Sequence, residues 1–375
     1  MGQKVVGTGA RAGAPIVCVI GGGQLARMMQ EAAIPLGIEL RALVEADDGS
    51  AGQAIRYSEV GGADDRDTII DFVDGEIVTV EHEHIPDQIL REISSRPSAD
   101  ALKFAQDKIT MRTRLDAPHP AWRSASTTAE INAAIAELGG TAVAKTPRGG
   151  YDGKGVAIIT SADDLPWSHM DGDLILLEEK VPFDMEVSQL VARRPSGEIK
   201  AWPLVRSVQR DGICFEVTAP APVPQELEKE AAEIARTIAE QTGVVGVLAV
   251  EMFVVNGELL VNELAMRPHN TGHWTIEGAV TSQFEQHLRA VLDLPLGDTS
   301  PVAPWSVMVN LLGSELDDPR QALGAVWESD PGVKIHMYGK EVRPERKIGH
   351  VTVTGTDLDE VRARAHAAIR TLEGK

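Results

Sequence analysis

The run Pro15-Ile-Val-Cys-Val-Ile20 leads straight into Gly21-Gly22-Gly23, and residues Gln24 to about Ala33 then repeat apolar side chains at helical spacing. A short apolar strand turning on glycine into an amphipathic helix opens a βαβ unit. It commits the start of the chain to a parallel sheet with its ligand side at the strand ends. A second strand is expected from about Ile38 to Val44, ending at Glu45, and another from Ile77 to Glu81. A helix is expected over Ala105 to Leu115. The two prolines of Asp116-Ala-Pro-His-Pro120 then block further helix, which reads as a linker. The turn Gly21-Gly-Gly-Gln-Leu-Ala26 satisfies G-x-G-x-x-A, and Glu45 stands where a dinucleotide's ribose-binding acid would sit. The same turn serves doubly wound domains that bind other phosphates at a helix N-terminus, so both readings stay open here.

A second glycine loop says more. Gly149, Gly150, Gly153 and Gly155 alternate with Tyr151, Asp152 and Lys154, after a strand that contains Lys145. Glycines let backbone N–H groups approach phosphate oxygens closely. The spacing is not that of a Walker A loop, and Gly155 stands where Ser or Thr would be needed. A flexible surface hairpin is the plain alternative. Lys145 weighs against it, because a lysine within an apolar strand calls for an anionic partner.

Glu251 and Glu263 flank an Asn256-Gly257 turn, with Asn262 just before the second. Carboxylates at the ends of paired strands suit Mg²⁺ bridging polyphosphate oxygens; the alternative is two solvent-facing acids. The register carries a test. A strict two-residue turn pairs Val255 with Glu258 and Glu251 with Asn262, which points Glu263 to the opposite face. A shared metal requires Glu251 opposite Glu263, through a three-residue loop or a β-bulge between turn and site. Arg267-Pro-His-Asn270 follows at once, a guanidinium, an imidazole and an amide that could grip a planar oxyanion.

Tyr338-Gly-Lys340 with Arg343, Arg346 and Lys347 forms a basic cluster in a chain of 36 basic and 56 acidic residues and net charge −20. That acidity argues against nucleic acid or an anionic membrane as partner, while a local cluster can still hold a phosphate. Two cysteines, Cys18 and Cys214, are too few for a disulfide framework. No apolar run approaches the roughly 18 residues a membrane helix needs, and no targeting segment is evident, so a cytoplasmic location is expected.

In order along nearly the whole chain, these stretches resemble the 5-(carboxyamino)imidazole ribonucleotide synthases, a purine-biosynthesis family of the ATP-grasp superfamily. The resemblance lies in Gly21 to Met28, Val78 to Pro86, Gly149 to Gly155, Asn262 to Thr275, Ser282 to Ala290, Tyr338 to Lys340 and Arg346 to His350. Commoner family forms have Gly at Ala26, Phe-Glu-Asn at His82-Glu83-His84 and Pro at Met266. The resemblance implies a ligase joining ATP, bicarbonate and aminoimidazole ribonucleotide, with Mg²⁺. It implies an α/β ATP-grasp fold behind an N-terminal Rossmann-like domain, with a small C-terminal α/β domain. Residues 1–115 would form the first domain and 116–185 the small ATP-grasp subdomain. Residues 186–299 would form the large subdomain, and 300–375 the C-terminal domain.

It also implies roles. Lys108 and Lys145 would hold ATP phosphates beneath the loop of Gly150, Tyr151, Asp152, Gly153, Lys154, Gly155 and Val156. Glu178, Glu179, Lys180 and Val181 would meet the adenine, and Glu186 the ribose. Glu251, Glu263 and Asn262 would serve Mg²⁺. Arg267, His269 and Asn270 would hold bicarbonate, and with Asp152 and Lys340 would be the catalytic groups. Gln24, Glu81, Tyr151, Asp152, Lys154, Lys340, Arg346 and Lys347 would surround the ribonucleotide. A homodimer is implied by resemblance alone. The rival readings are an NAD oxidoreductase, an inert nucleotide-binding regulator and, within the superfamily, a formate-using purine ribonucleotide transformylase.

Overall fold

The computed structural model describes residues 13–150, 154–166 and 173–375. β1 (Ile16–Ile20) turns into α1 (Gln24–Leu36), followed by β2 (Glu39–Val44), β3 (Tyr57–Val60), α2 (Arg66–Val73) and β4 (Ile77–Val80). The four strands make a parallel sheet in the order β3-β2-β1-β4. The winding reverses beside β1, so the C-terminal ends at Ile20, Val44 and Val80 open onto a crevice. α3 (Asp87–Leu90) and α4 (Ala99–Gln106) follow, with Ile89, Leu90 and Leu102 in one apolar cluster with Val78 and Val80 of β4.

The helix expected over Ala105 to Leu115 is two helices. α4 stops at Gln106, and α5 (Lys108–Arg114) begins after Asp107, whose φ is −134°. The Asp107 carboxylate accepts the Thr110 N–H at 2.9 Å. A short acid that satisfies nearby backbone competes with helix continuation and caps the next one. The break has a use: Lys108 now stands in the first turn of α5, with Arg112 one turn later on the same face.

A four-stranded antiparallel sheet follows, ordered β5-β8-β6-β7. It comprises β5 (Trp122–Ala125), α6 (Thr128–Glu137) packed on one face, β6 (Ala142–Lys145), β7 (Val156–Ile159) and β8 (Ile175–Glu179). The glycine loop is the connection between β6 and β7.

The remaining elements are β9 (Met185–Arg193), β10 (Ile199–Ala201), β11 (Val205–Arg210), β12 (Ile213–Ala219), α7 (Gln225–Thr242), β13 (Gly246–Val255) and β14 (Glu258–Ala265). After them come α8 (Thr275–Gly278), α9 (Gln283–Val291), β15 (Trp305–Leu312), α10 (Leu323–Ser329), β16 (Lys334–Met337), β17 (Lys347–Gly355) and α11 (Leu358–Glu373). Their nine strands form one antiparallel sheet, β14-β13-β9-β11-β12-β15-β17-β16, with β10 beside β9. The sheet runs across the boundary expected at 299/300: β15 pairs with β12, Val309 opposite Glu216. The C-terminal piece therefore shares backbone hydrogen bonds with the large subdomain.

Packing joins the parts. Phe284, Leu288 and Val291, spaced four and three residues apart, put one face of α9 against Leu25, Met28 and Met29 of α1. Each fully buried apolar side chain of this size contributes about 1.5–3 kcal/mol. His287, between them, is wholly buried. Its Nε2 lies 2.7 Å from the Thr79 hydroxyl of β4, and its Nδ1 accepts the Val247 N–H of β13 at 3.1 Å. Burial pushes its pKa down to about 3, so it stays neutral across that joint.

Candidate active site

The three sheets enclose one continuous cleft of about 1350 Å³. Residues from every expected group line it: Gln24 and Glu81 of the first domain, Lys108, Lys145 and Gly150, Glu178 to Val181, Glu186, Glu251, Asn262, Glu263, Arg267, His269 and Asn270, and Lys340, Arg346 and Lys347. Tyr151, Asp152 and Gly153 lie outside the described residues.

The β13–β14 hairpin pairs Val255 with Glu258 next to the turn, yet Glu251 with Glu263. The register shifts between Glu251 and Met252, so Asn262 is the extra residue of a β-bulge. Glu263 Oε1 lies 3.1 Å from Lys108 Nζ, and Asn262 Oδ1 accepts from Lys145 Nζ at 2.8 Å. Glu251 stands 3.4 Å from His269 Nε2. Its carboxyl is pushed up to about 8, first by burial and then by the charges of Glu263 and Glu186. Unrelieved repulsion between facing carboxylates is what a bound dication removes. Among the described residues no group of three or more His, Cys, Asp or Glu forms a metal cage. Two carboxylates nevertheless suit Mg²⁺, which keeps several waters and takes oxygens from substrate phosphates. The donor set fits that ion.

Lys145 has its anionic partner within the protein. Glu178 receives Lys145 at 2.6 Å on one oxygen and Arg112 at 2.6 Å on the other. Burial alone would raise the Glu178 carboxyl; Lys145 and then Arg112 outweigh it and hold the pKa below the usual value. The Glu178 carboxylate is thus committed to the floor of the cleft, whereas Glu179, Lys180 and Val181 continue along its rim. Arg112 also donates to the backbone carbonyl of the bulged Asn262 at 2.8 Å. The sequence reading missed Arg112, although its i,i+4 spacing from Lys108 was the available signal.

The glycine loop is anchored on α5. Lys108 N donates to the Pro147 carbonyl at 2.9 Å, and Arg148 pairs with the capping Asp107 at 2.9 Å. On the return side Thr146 N donates to the Gly155 carbonyl; Gly155 has φ +72°, and a Cβ there would fall on the Thr146 hydroxyl. Lys154 is exposed, and Val156 lines the cleft. Further along, Phe183 stacks on Phe253 at 4.7 Å beside Glu186, whose carboxyl burial pushes up.

In the loop after β14, Arg267 Nε donates to Glu83 Oε2 at 3.0 Å. Gln283, fully buried at the start of α9, holds the His269 backbone from both sides: it accepts His269 N–H at 2.8 Å and donates to its carbonyl at 2.7 Å. Burial and then Arg267 keep the His269 imidazole well below its usual pKa, and so neutral. The Asn270 side chain is buried near the Cys214 thiol, and among the described residues neither of its polar atoms has a hydrogen-bond partner of ordinary geometry. Glu83 and Gln283 also escaped the sequence reading.

The first glycine turn is already filled. α1 has no side-chain cap of its own at Gly23. Glu81, at the end of β4, supplies one: its carboxylate accepts the backbone N–H groups of Gly23 and, at 2.8 Å, of Leu25. Gly22 N–H donates to Glu45 at 3.2 Å. A Cβ on Gly23 would strike the Glu81 carboxylate. An anion from the protein itself thus stands at the helix N-terminus where a dinucleotide's pyrophosphate would lie. This removes the NAD reading of that turn, and it makes Glu81 first a cap, with lone pairs left for one more donor. Beside it Lys340, reached through the loop between β16 and β17, donates to the Gln24 side chain of α1. Ser50 and Gln53 brace that loop through the carbonyls of Tyr338 (2.6 Å) and Gly339 (2.8 Å). Arg343 turns outward to Glu341 at 2.6 Å.

Comparison with known proteins accords with this geometry. Residues 15–106 match the ribonucleotide synthetase preATP-grasp domain. Residues 110–284 match the ATP-grasp domain, and 306–364 match the phosphoribosylaminoimidazole carboxylase C-terminal domain. The N5-carboxyaminoimidazole ribonucleotide synthase of Corynebacterium ammoniagenes is 46% identical over 95% of this chain and 91% of its own length. The corresponding synthetase structure from Thermus thermophilus superposes with a TM-score of 0.85 at 37% identity, over 96% of this chain and 99% of that one. The Aspergillus clavatus synthase, solved in complex with ADP and 5-aminoimidazole ribonucleotide, gives 0.87 at 31% identity over 96% and 99%. Matched in sequence and fold over nearly its whole length, the chain belongs to the N5-carboxyaminoimidazole ribonucleotide synthase family of ATP-grasp ligases.

Proposed function

We propose that this protein carboxylates the exocyclic amine of 5-aminoimidazole ribonucleotide with bicarbonate, cleaving ATP to ADP and phosphate, as a step of purine biosynthesis. One observation carries the reading. The Lys340–Gln24 contact and the Glu251–Glu263 pair open into the same cleft, so a ribonucleotide end and a nucleotide end share one cavity.

ATP lies between the small sheet and the hairpin, its adenine along Glu179 to Val181 with Phe253 and Glu186 nearby. Lys108 and Lys145 take the phosphates with the ammonium donors left beyond their carboxylate partners, and the loop from Gly150 to Val156 closes over them. Glu251, Glu263 and Asn262 hold Mg²⁺, which neutralises charge on the transferring phosphoryl group when bound. Arg267, His269 and Asn270 fix bicarbonate in line with the γ-phosphate, so that its attack meets a preorganised site in place of bulk water. An oxygen of bicarbonate bonds to the γ-phosphorus and ADP leaves, giving carboxyphosphate, which a closed cleft protects from hydrolysis. The amine of the ribonucleotide then takes the carboxyl group, directly or through released CO₂, as phosphate departs and the amine loses a proton. Gln24, Glu81, Lys340, Arg346 and Lys347 hold the ribonucleotide, together with Tyr151, Asp152 and Lys154.

We take the enzyme to act in the cytoplasm, and as a homodimer by resemblance alone. Its cysteines, Cys18 and Cys214, are free and buried, which suits a reducing compartment. No helix among the described residues is long and apolar enough to cross a membrane. The test is ADP release with ATP and Mg²⁺, adding bicarbonate and the ribonucleotide singly and together. Release should depend strongly on the ribonucleotide. Equal turnover with formate and a glycinamide ribonucleotide overturns the assignment.

A further inference from the structure

We infer that Thr271 and Ser188 are positioning residues which lock His269 as the tautomer carrying its proton on Nε2. His269 then serves the cleft as a hydrogen-bond donor and cannot be the group that accepts the amine proton. The inference rests on the reading of Arg267 to Asn270 as the bicarbonate-holding loop.

The argument is a count of donors. The His269 ring caps the short turn over Asn270–Gly272: its Nδ1 accepts the backbone N–H of Thr271 at 3.4 Å. A backbone N–H can only donate, so Nδ1 presents a lone pair. The Thr271 hydroxyl lies 2.8 Å from the same Nδ1. Facing a lone pair, it must donate as well. Its oxygen is then free to accept, and the Ser188 hydroxyl of β9 stands 2.8 Å away. Ser188 and Thr271 are both fully buried, so no water competes for either hydroxyl. The direction of the chain follows: Ser188 donates to Thr271, Thr271 donates to His269 Nδ1, and the one ring proton of a neutral imidazole sits on Nε2.

That Nε2 faces the cleft, 3.4 Å from Glu251 Oε1. A flip of the ring about Cβ–Cγ would take Nδ1 away from both Thr271 donors and Nε2 away from Glu251, so these contacts hold its orientation. With Nδ1 facing two donors, the ring has no site left for a second proton. A neutral imidazole whose only lone pair is engaged by two protein donors has nothing with which to take a proton from substrate. What it offers is an N–H aimed at an oxygen, the function an oxyanion requires.

The decisive measurement is nitrogen NMR of selectively labelled histidine in the whole protein, with His269 assigned by comparison with His269→Gln. The expected result is an unprotonated Nδ1 and a protonated Nε2 at neutral pH. A proton on Nδ1 overturns the inference. Thr271→Val removes the hydroxyl but keeps the branched shape. It should lower kcat/KM for bicarbonate roughly tenfold, the effect of one lost hydrogen bond, and leave the ATP KM unchanged. Thr271→Ser should restore most of the loss. Wild-type kinetics in Thr271→Val, or an equal rise in the ATP KM, counts against the positioning role. If Thr271→Val does not fold, the wild-type tautomer still decides. The spectrum needs no turnover, so a failure of ribonucleotide-dependent ADP release is registered separately, against the functional reading.

Discussion

Glu251 lies directly opposite Glu263 across β13 and β14, although Val255, nearer the turn, lies opposite Glu258. The two pairings are incompatible in a regular ladder. Asn256 and Gly257 both have positive φ, 52° and 85°, as the favoured two-residue hairpin turn requires. That turn fixes the first pairing, and the bulge at Asn262 restores the second. Because two consecutive residues oppose one at a bulge, Asn262 and Glu263 both reach lysines of the cleft, Lys145 and Lys108. Of the two devices that a shared metal required, the hairpin uses the one beside the site and leaves the turn unaltered.

Magnesium affinity should therefore depend on pH in a definite sense. Glu251 is pushed up to about 8, so at neutral pH the free protein holds a proton there. A carboxylate ligand must lose that proton, so binding releases it and affinity rises as pH increases through about 8. Calorimetric titration with Mg²⁺ in two buffers of different ionisation enthalpy should detect the proton. Glu251→Gln and Glu263→Gln should each lower kcat about 100-fold or more, since the ion's contribution is several kcal/mol. Mg²⁺ binding with no proton release at pH 7 would remove Glu251 from the ligand set.

The two lysines of the C-terminal loop should behave differently. Lys340 meets Gln24 at the first domain's crevice. Lys340→Ala should raise the ribonucleotide KM on the order of 10–100-fold, from a charge-assisted contact of about 1.5–3 kcal/mol, with the ATP KM unchanged. The charge of Lys347 acts on Glu251, His269 and Cys214, so it sits deeper, toward the loop of Arg267, His269 and Asn270. Lys347→Ala should weaken ribonucleotide binding and also lower kcat. Identical kinetic profiles for the two variants would show that the loop acts as one diffuse charge.

Arg267→Lys keeps the charge and loses the planar fork. Nε of Arg267 is engaged by Glu83, a contact that fixes which edge of the guanidinium is left for a ligand. A large fall in kcat is expected, with folding and ATP binding retained. Titration with labelled ATP and a thermal melt check the latter two; a near-wild-type rate would make Arg267 a structural charge only.

How far the site could be read from the sequence depended on what each residue does. Gln24, Lys108, Lys145, Glu251, Glu263 and Lys340 stand out locally, as charges or amides beside glycine turns and strand ends, and all reach the cleft. Arg112, Glu83, Gln283, Thr271 and Ser188 act instead by holding other cleft residues: Arg112 pairs with Glu178, Glu83 with Arg267, Gln283 and Thr271 with His269, and Ser188 with Thr271. No local pattern marks a residue whose partner is, as with Arg267 and Glu83, 184 positions away. The fold divides in the same way. The opening βαβ unit follows from apolar period and glycine, while the nine-stranded sheet depends on non-local pairings such as β12 with β15. The helix break at Asp107 was legible in principle, because Asp followed three residues later by Thr110 is a capping arrangement. It was hidden by good helix formers on both sides. Lys145 called for an anionic partner, and Glu178, brought to it from β8, is one that no local pattern marks.

That partner gives the last prediction. Arg112, Lys145 and Glu178 are almost wholly removed from solvent, with side-chain exposures of 1%, 9% and 2%. Removing the one acid strands two buried cations. Deleting one partner of a buried ion pair costs about 3–5 kcal/mol, much of it the desolvation of the charge left behind. Glu178→Gln preserves shape and should show this loss as a lower urea midpoint at pH 7. The pH dependence fixes the cause. The Glu178 pKa is held below its ordinary value near 4.5 by Lys145 and Arg112 against the opposing effect of burial. A carboxyl depressed on folding stabilises the native state fully above its unfolded pKa, and that contribution is lost as pH falls through the folded value. The wild-type advantage over Glu178→Gln should therefore be constant from pH 8 down to about 5 and shrink progressively below 4.5. Unfolding of both proteins across that range measures it. A difference that does not change with acid would mean that Glu178 contributes shape and hydrogen bonds, and that its charge has no part in holding Lys145 in place.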